Sequence, residues 1–258
     1  MSLKNQIQDF ATEIFDSVIT QRRHIHAHPE LSFEEKETAA FVNQRLQQLG
    51  IETETDIAGH GLVGYIRGTK TAPEGVASKV LALRADMDAL PIVEENEVPY
   101  RSQNQGVMHA CGHDVHTSSL LGTAQVLQHF REHFSGTIKL IFQPAEERAP
   151  GGASLMIQEG VLKQPQPVNG ILGQHVQPYF PCGKIGVRSG IYMASADEIY
   201  LEIKGKGGHA AHPAHFIDPV MITAQMLVAL QQVVSRSDPR IPSVLSFGKI
   251  NSDGGATN

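Results

Sequence analysis

The chain has 258 residues, of which 41% are hydrophobic, and it carries a formal net charge of −6. This length and apolar content are enough to bury a sizeable core in one large or two smaller domains. The acidic balance, with no basic stripe along the sequence, argues against nucleic acid as a partner.

The termini and the two cysteines predict where the protein works. The polar N-terminus lacks the apolar core of a secretory signal, and no segment is long and apolar enough to span a bilayer. Two cysteines do not make a disulfide framework, and a reducing compartment would keep Cys111 available as a thiolate. We therefore expect a cytoplasmic protein with no membrane partner.

The chain is predicted to begin with two helices. Apolar residues recur at three- and four-residue steps from Ile7 to Val18, which is typical of an amphipathic helix. A second helix is predicted to start at Ser32, because Ser32 and Glu35 form a capping-box pattern. Gly50 is predicted to end it, since glycine commonly follows the last helical residue.

Strands then alternate with helices. Short apolar runs predict strands at residues 62–66, 80–83, 137–142 and 168–172, with a helix from Asp114 to about Phe130. This order predicts an α/β fold with a mostly parallel sheet and helices on both faces.

The pattern changes near residues 186–196. Residues 199–203 and 244–250 read as strands on either side of an amphipathic helix over about 217–234. We assign residues 1–188 to a catalytic domain and residues 189–258 to the start of a small α+β domain. A two-stranded sheet with one helix is marginal as an independent fold.

A thiol and several imidazoles are concentrated in one short segment. Cys111 and His113 lie two residues apart in front of a predicted helix, so an extended backbone points both side chains the same way. His175 follows another predicted strand. A buried thiol is the usual fate of a single free cysteine, but thiol and imidazole ligands from separate strand ends are what a transition metal needs.

Carboxylates follow two of the predicted strands. Asp86 and Asp88 come after residues 80–83, and Glu146 and Glu147 come after residues 137–142. In parallel α/β sheets, ligands bind just beyond these strand ends. Adjacent side chains on an extended backbone diverge, so one glutamate can bind metal while Glu146 acts as a base. The alternatives are an exposed acidic turn for the glutamates and a turn or cap for the aspartates.

The other histidines are weaker candidates. His24, His26 and His28 alternate before a proline, and a structural role is favoured for all three. His109 and His116 are close to the predicted site but ambiguous. His209 follows a predicted strand and is either a surface histidine or a donor to a carbonyl oxyanion.

Five segments together resemble the M20 metallopeptidase family in its amidohydrolase branch. They are RHIHAHPEL at 23–31, LRADMDALP at 83–91, HACGHDVH at 109–116, FQPAEE at 142–147 and GKGGHAA at 205–211. That branch includes hippurate hydrolases, indole-acetyl-amino-acid hydrolases and N-acetyl-diaminopimelate deacetylases. The resemblance implies hydrolysis of the amide bond of a small N-acyl amino acid by a water activated by one or two zinc or manganese ions.

The resemblance also implies roles for individual residues. It implies a smaller lid and dimerisation domain, hence a homodimer, from which His209 reaches substrate, often in the neighbouring subunit. Asn258 matches an asparagine that helps to bind substrate. Glu146 is implied as the general base and Asp88 as a supporting acid. The implied metal ligands are Cys111, His113, Glu147 and His175.

Two departures from the family leave alternatives open. The wider superfamily has a histidine ligand where Asp86 stands, although aspartate is usual in this branch. Members of the family continue beyond the position of Asn258 and return to the catalytic domain with one more histidine ligand. The sequence is therefore expected to be C-terminally truncated. The competing hypotheses are a catalytically silent homologue and an amidase that uses Cys111 as its nucleophile.

Overall fold

The computed structural model describes residues 1–75 and 77–255, which form two compact units. The first unit is Met1–Ile185, and the second begins at Gly186. The predicted boundary between residues 188 and 189 lies close to this division, and the assignment of functional domains stays a prediction.

The N-terminal region forms three helices, α1 (Leu3–Glu13), α2 (Phe15–Ala27) and α3 (Lys36–Gln48). The helix predicted over residues 7–18 is interrupted at Ile14, a buried residue that ends α1 and precedes α2.

Helix α3 begins at Lys36, and the capping-box prediction at Ser32 is wrong. The carboxylate of Glu30 caps this helix instead, accepting two N–H groups of its first turn at 3.0 and 2.7 Å. Ser32 and Glu35 are buried and hydrogen-bond to residues far away in the sequence.

Replacing Glu30 by alanine is expected to lower the free energy of unfolding by about 1 kcal/mol, the usual effect of losing a helix cap. Urea unfolding measures this change. The same substitution at the exposed neighbour Glu34 is the control, and an equal loss in both variants would contradict the capping role.

The first unit is built around a five-stranded sheet of β1 (Glu52–Ile57), β2 (Gly61–Arg67), β3 (Val80–Asp86), β4 (Thr137–Gln143) and β5 (Gly170–Gly173). The strand order is β1-β2-β4-β3-β5. The β1–β2 and β2–β4 pairs are antiparallel, and β3 runs parallel to both β4 and β5.

The α/β class is confirmed, but the sheet is mixed rather than mostly parallel. The difference comes from β1, which the sequence analysis missed, and from its hairpin with β2. The sequence of β1 is ETETDI, and most of its side chains are exposed at one edge of the sheet. It therefore has no apolar run that would mark a buried strand.

Helices cover both faces of the sheet, as predicted. On one face, α3 and α4 (His113–His129) pack through a core that contains Leu46 and Phe142. On the other face, α5 (Gly152–Gln158) contributes Met156 to a second core. These two cores fix the helices on the sheet and so position the strand ends that carry the candidate residues.

The parallel strands end at one edge of the sheet. In the observed register, Asp86 pairs with Gln143 and Arg84 pairs with Gly173. The segments that follow β3, β4 and β5 therefore leave the sheet side by side, which is the arrangement that the sequence predicted for the acidic residues and His175.

The second unit contains one long helix, α6 (Pro219–Ser235), and an isolated bridge between Lys206 and Ile217. Asp218 caps α6 by accepting the first two helical N–H groups. Residues 199–203 and 244–250 are not strands, because a strand needs a hydrogen-bonded neighbour and neither segment pairs with another described segment. Among the described residues, no helix has the length and apolar character needed to cross a membrane.

Candidate metal centre

The centre is organised by the turn into helix α4. Gly112 precedes the helix with φ of +85°, a left-handed conformation that favours glycine. A Cβ atom at this position would also lie 2.5 Å from Cγ2 of Val176. Glycine is therefore required between Cys111 and His113 for both reasons.

His113 lies at the middle of the acidic cluster and is fully buried. Its Nδ1 is 3.1 Å from Asp88 Oδ1, so Nδ1 carries the proton donated to that carboxylate. The lone pair on Nε2 then faces Asp86 Oδ2 at 3.7 Å, Glu147 Oε1 at 3.7 Å and Glu146 Oε2 at 4.0 Å.

Cys111 and His175 close the other side of the cluster. The Cys111 Sγ atom lies 3.4 Å from His175 Nε2. His175 donates its Nδ1–H to the carbonyl of Val176 at 2.7 Å, which leaves the Nε2 lone pair on the side of the thiol. Ligand atoms of Cys111, His113 and His175 all lie within 4.8 Å of one another.

The donor set fits a bound metal ion. Bond lengths of about 2.0–2.3 Å in a tetrahedral zinc site put ligand atoms roughly 3.3–3.8 Å apart, close to the 3.4 and 3.7 Å separations in this cluster. His113 Nε2 and Glu147 Oε1 are buried without a hydrogen-bond partner among the described residues. Buried polar atoms without partners are uncommon in native proteins, and a shared cation would satisfy both of these.

The turn that carries the two glutamates has a strained backbone, which a residue far away in the sequence holds in place. The buried residue Ala145 has φ of +46°, which is uncommon for a residue with a side chain. Its N–H donates to Glu35 Oε1 at 2.6 Å, and Glu35 is itself fully buried. Such strain persists only when neighbouring groups hold it, so Glu35 fixes the backbone immediately before Glu146.

Asp88 links this turn to the rest of the centre. It is buried, and its Oδ2 accepts the Ser32 hydroxyl at 2.6 Å and the Glu147 N–H at 2.9 Å. Its other oxygen holds His113. Asp88 thus orients two candidate ligands without facing the middle of the cluster.

Glu146 is the most accessible carboxylate of the cluster. Its side chain is 42% exposed, compared with 22% for Glu147. Partial burial raises the pKa of the Glu146 carboxyl, and the charge of Glu147 raises it further. A carboxylate with a raised pKa at the rim of a cluster has the properties of a general base.

Asp86 lies deeper and is already paired. Burial raises the pKa of its carboxyl, but the hydrogen bond from His116 and the charge of Arg84 outweigh burial and lower the pKa to about 2. Asp86 therefore stays ionised and adds negative charge to the cluster at physiological pH.

Residues 82–251 match the sequence model of peptidase family M20/M25/M40. The chain belongs to this family.

Individual relatives agree with that membership. The chain is 45% identical over 249 residues to an N-acyl-L-amino acid amidohydrolase of Geobacillus stearothermophilus, covering 94% of this chain and 64% of the relative. It is 44% identical over 252 residues to an IAA-amino acid hydrolase of Arabidopsis thaliana, covering 96% and 55%. The chain spans about three fifths of the length of the curated relatives it matches.

Two solved structures of similar fold extend the comparison. A Staphylococcus aureus protein provisionally named as an aminohydrolase has a TM-score of 0.78 and 36% identity, covering 99% of this chain and 66% of its own. A dinuclear metal-binding peptidase of the M20 family from Bacillus subtilis has a TM-score of 0.62 and 41% identity, with coverage of 71% and 48%.

In this M20 chain, several predicted residues lie together in the first unit. Cys111, His113, Glu146, Glu147 and His175 converge, with Asp88 directly behind them. Their roles as ligands, base and supporting acid stay predictions.

Neither of the two predicted substrate-binding residues belongs to the first unit. His209 belongs to the second unit, where it is exposed and its Nδ1 accepts the N–H of Ala211 at 3.1 Å. Asn258 lies outside the described residues.

The N-terminal histidines contact residues outside the ligand cluster, and their structural role stays a prediction. His26 is buried between Asp114 Oδ2 at 2.8 Å and Glu94 Oε1 at 3.1 Å. His24 and His28 are exposed and pack their rings against each other, and His24 also stacks on Phe41.

Sequence reasoning missed Ser32 and Glu35 as parts of this M20 centre. Their contacts are with Asp88 and Ala145, 56 and 110 positions away. The polar residues of the SFEE segment at positions 32–35 offered a signal, but a capping box within the segment accounts for the same residues.

The electrostatics of Cys111 disfavour a thiol nucleophile. Burial raises the pKa of this thiol most, and the neighbouring carboxylate of Glu147 raises it further, to about 12. A nucleophilic cysteine needs a lowered pKa. A cation in the cluster would reverse the effect of the carboxylates, so the surroundings suit a metal-bound thiolate.

Iodoacetamide is expected to label Cys111 in the metal-free protein at least 100-fold more slowly, in order of magnitude, than the exposed thiol of Cys182, because only the thiolate reacts. Labelling at pH 8 in EDTA, followed by peptide mass spectrometry, measures both rates in one sample. A Cys182→Ser variant isolates the rate at Cys111. Equal rates would restore the hypothesis of a cysteine nucleophile.

Proposed function

We propose that this chain carries the catalytic centre of a metal-dependent hydrolase that cleaves the amide bond of N-acyl amino acids. The observation that carries the proposal is the convergence of unpartnered ligand atoms around His113 Nε2, with Glu146 at the accessible rim. Named relatives that hydrolyse N-acyl amino acids support the substrate class. Acetyl, benzoyl and aryl-acetyl groups are all candidates for the acyl part.

Four residues would hold one or two zinc or manganese ions. They are Cys111, His113, Glu147 and His175, which combine thiolate, imidazole and carboxylate donors. When bound, such an ion acidifies a water molecule and polarises a carbonyl group. The buried Asp88 keeps the His113 proton on Nδ1 and so keeps its Nε2 available.

Glu146 would move the proton in this reaction. Its carboxylate takes a proton from the attacking water as the oxygen approaches the scissile carbon, and it later delivers that proton to the nitrogen of the leaving amine. The raised pKa of Glu146 suits both steps, because a stronger base accepts the proton more readily and the resulting acid still protonates an amine. Glu35 would keep the carboxylate in place through Ala145.

His209 would stabilise the charge that develops on the carbonyl oxygen. Because its Nδ1 accepts a backbone N–H, the neutral ring carries its proton on Nε2 and can donate it. Asn258 would contribute to substrate binding. A homodimer and a cytoplasmic location also stay predictions.

Metal analysis and a hydrolysis assay on one sample test the proposal. We expect the purified chain to bind zinc or manganese near stoichiometrically and to release amino acid from N-acetyl, benzoyl or indole-acetyl substrates, with loss of turnover in EDTA. Turnover that survives complete metal removal would refute the proposal. Metal without turnover would favour the catalytically silent homologue.

A further inference from the structure

We infer that His116 is a positioning residue that fixes the segment carrying His175, and that it is not itself a metal ligand. The inference rests on the proposed metal site and goes beyond it, because neither the sequence motif nor the cluster of donors separates these two roles. Donor atoms of His116, Asp86 and His113 lie within 4.8 Å of one another, so His116 is close enough to be mistaken for a ligand.

Hydrogen bonds occupy both ring nitrogens of His116. Its Nε2 accepts the N–H of Val176 at 2.9 Å, so the proton of the neutral ring is on Nδ1. That Nδ1 donates to Asp86 Oδ1 at 2.6 Å. The residue is buried, with 1% of its surface exposed. No lone pair is left for a cation, whereas the Nε2 lone pair of His113 has no partner among the described residues and that of His175 faces only the Cys111 thiol, itself a candidate ligand.

The contact of His116 falls on the residue next to a candidate ligand. Val176 is the only residue between positions 171 and 180 that is not exposed. Its N–H is held by His116, its carbonyl accepts the Nδ1–H of His175, and its side chain packs where Gly112 has no Cβ. Val176 is thus the anchor of an otherwise exposed segment, and His116 supplies the hydrogen bond that ties its backbone to α4.

The same histidine connects two strand ends. Asp86 ends β3, and the His175 segment follows β5, the parallel neighbour of β3. Through His116, the position of Asp86 sets the position of the Val176 backbone. Losing the hydrogen bond between His116 and Val176 would leave the His175 ring free to rotate. Metal binding would then have to order this ring, so the affinity for metal would fall.

Three substitutions separate the possible roles. His116→Phe keeps an aromatic ring and removes both hydrogen bonds. His116→Gln places an amide oxygen near the position of Nε2, where it can accept the Val176 N–H. His116→Asn retains a donor close to Nδ1 for Asp86, but its side chain is too short to reach Val176. The exposed residue His133 provides a matched control as His133→Phe.

Two measurements report on the inference. The first is the Kd for Zn²⁺, obtained by competition with a chelator; loss of a group that orients a ligand typically costs 10- to 100-fold in metal affinity. The second is hydrogen exchange of the Val176 amide in metal-free protein, which does not depend on metal or activity. Circular dichroism in EDTA checks that each variant is folded, and His116→Gln serves if His116→Phe fails to fold.

We expect His116→Phe to bind Zn²⁺ 10- to 100-fold more weakly and to lose protection of the Val176 amide. His116→Gln should lie closer to the wild type than His116→Asn in both measurements, and His133→Phe should match the wild type.

An unchanged Kd and unchanged protection in His116→Phe would overturn the inference. The loss of one bound ion with Val176 still protected would make His116 a ligand. A wild-type chain that binds no metal would refute the proposed function, while the exchange measurement would still test the role of His116.

Discussion

Replacing Glu146 by glutamine is expected to lower kcat by roughly 10²- to 10⁴-fold, the usual contribution of a general base, while the bound metal stays unchanged. The amide cannot take a proton from water, yet it preserves the size of the side chain. Because Glu146 is the more exposed of the two glutamates and lies 4.0 Å from His113 Nε2, its replacement leaves the closer donor, Glu147, in place.

The adjacent residue supplies a matched control. Glu147→Gln is expected to lower the metal content, since its buried Oε1 is one of the unpartnered atoms that face the cluster. Kinetics at saturating metal, with elemental analysis of both variants, separates the two roles. If Glu146→Gln loses metal and Glu147→Gln does not, the assignments must be exchanged. Undiminished turnover in Glu146→Gln would exclude it as the base.

The strand ends of the centre could be predicted because local pattern and sheet geometry agree there. The apolar runs before Asp86 and Glu146 mark buried strands, and parallel pairing brings their ends to one edge. The segment that contains Cys111 and His113 has its own signal, since an extended backbone points a thiol and an imidazole two residues apart the same way. Neither inference needs a particular side-chain contact between residues that are far apart in the sequence.

The groups that hold these residues could not be predicted in the same way. Ser32 and Glu35 fit a capping box, and the competing interpretation depends on Asp88 and Ala145, which only the folded chain brings near them. The positive φ of Ala145 is similarly hidden, because alanine gives no sign of left-handed backbone. Tertiary hydrogen bonds outweighed a local preference worth about 1 kcal/mol.

The strand predictions failed where strands lack an apolar run or a partner. The β1 sequence alternates Glu and Thr and lies at an exposed edge, so hydrophobic pattern cannot identify it. Residues 199–203 have the alternation of a half-buried strand, but alternation alone does not supply the neighbouring backbone that a strand requires. The helix over residues 217–234 was predicted closely, because α6 forms its hydrogen bonds within itself.

Zinc or manganese at about 100 times its Kd is expected to raise the free energy of unfolding by about 2.7 kcal/mol, because the ion binds the folded centre and not the unfolded chain. For a chain of this size that gain corresponds to a Tm increase of roughly 5–10 °C. The gain should be largest for the first unit, where the carboxylates of Asp86, Glu146 and Glu147 and the thiol of Cys111 surround His113. Differential scanning calorimetry with and without EDTA measures it.

His113→Asn tests the origin of this stabilisation. The asparagine amide can still donate to Asp88 from a position close to Nδ1, but no atom replaces Nε2, so the metal-induced increase in Tm should disappear while metal-free stability falls only slightly. His113→Ala removes both atoms and takes one hydrogen bond from the buried Asp88 carboxylate, which keeps its bonds from Ser32 and Glu147; losing a hydrogen bond to a charged group typically costs about 1.5–3 kcal/mol. A metal-induced shift that survives in His113→Asn would mean that the ion binds elsewhere. The difference between the two variants therefore measures how much of the role of His113 is metal binding and how much is pairing with Asp88.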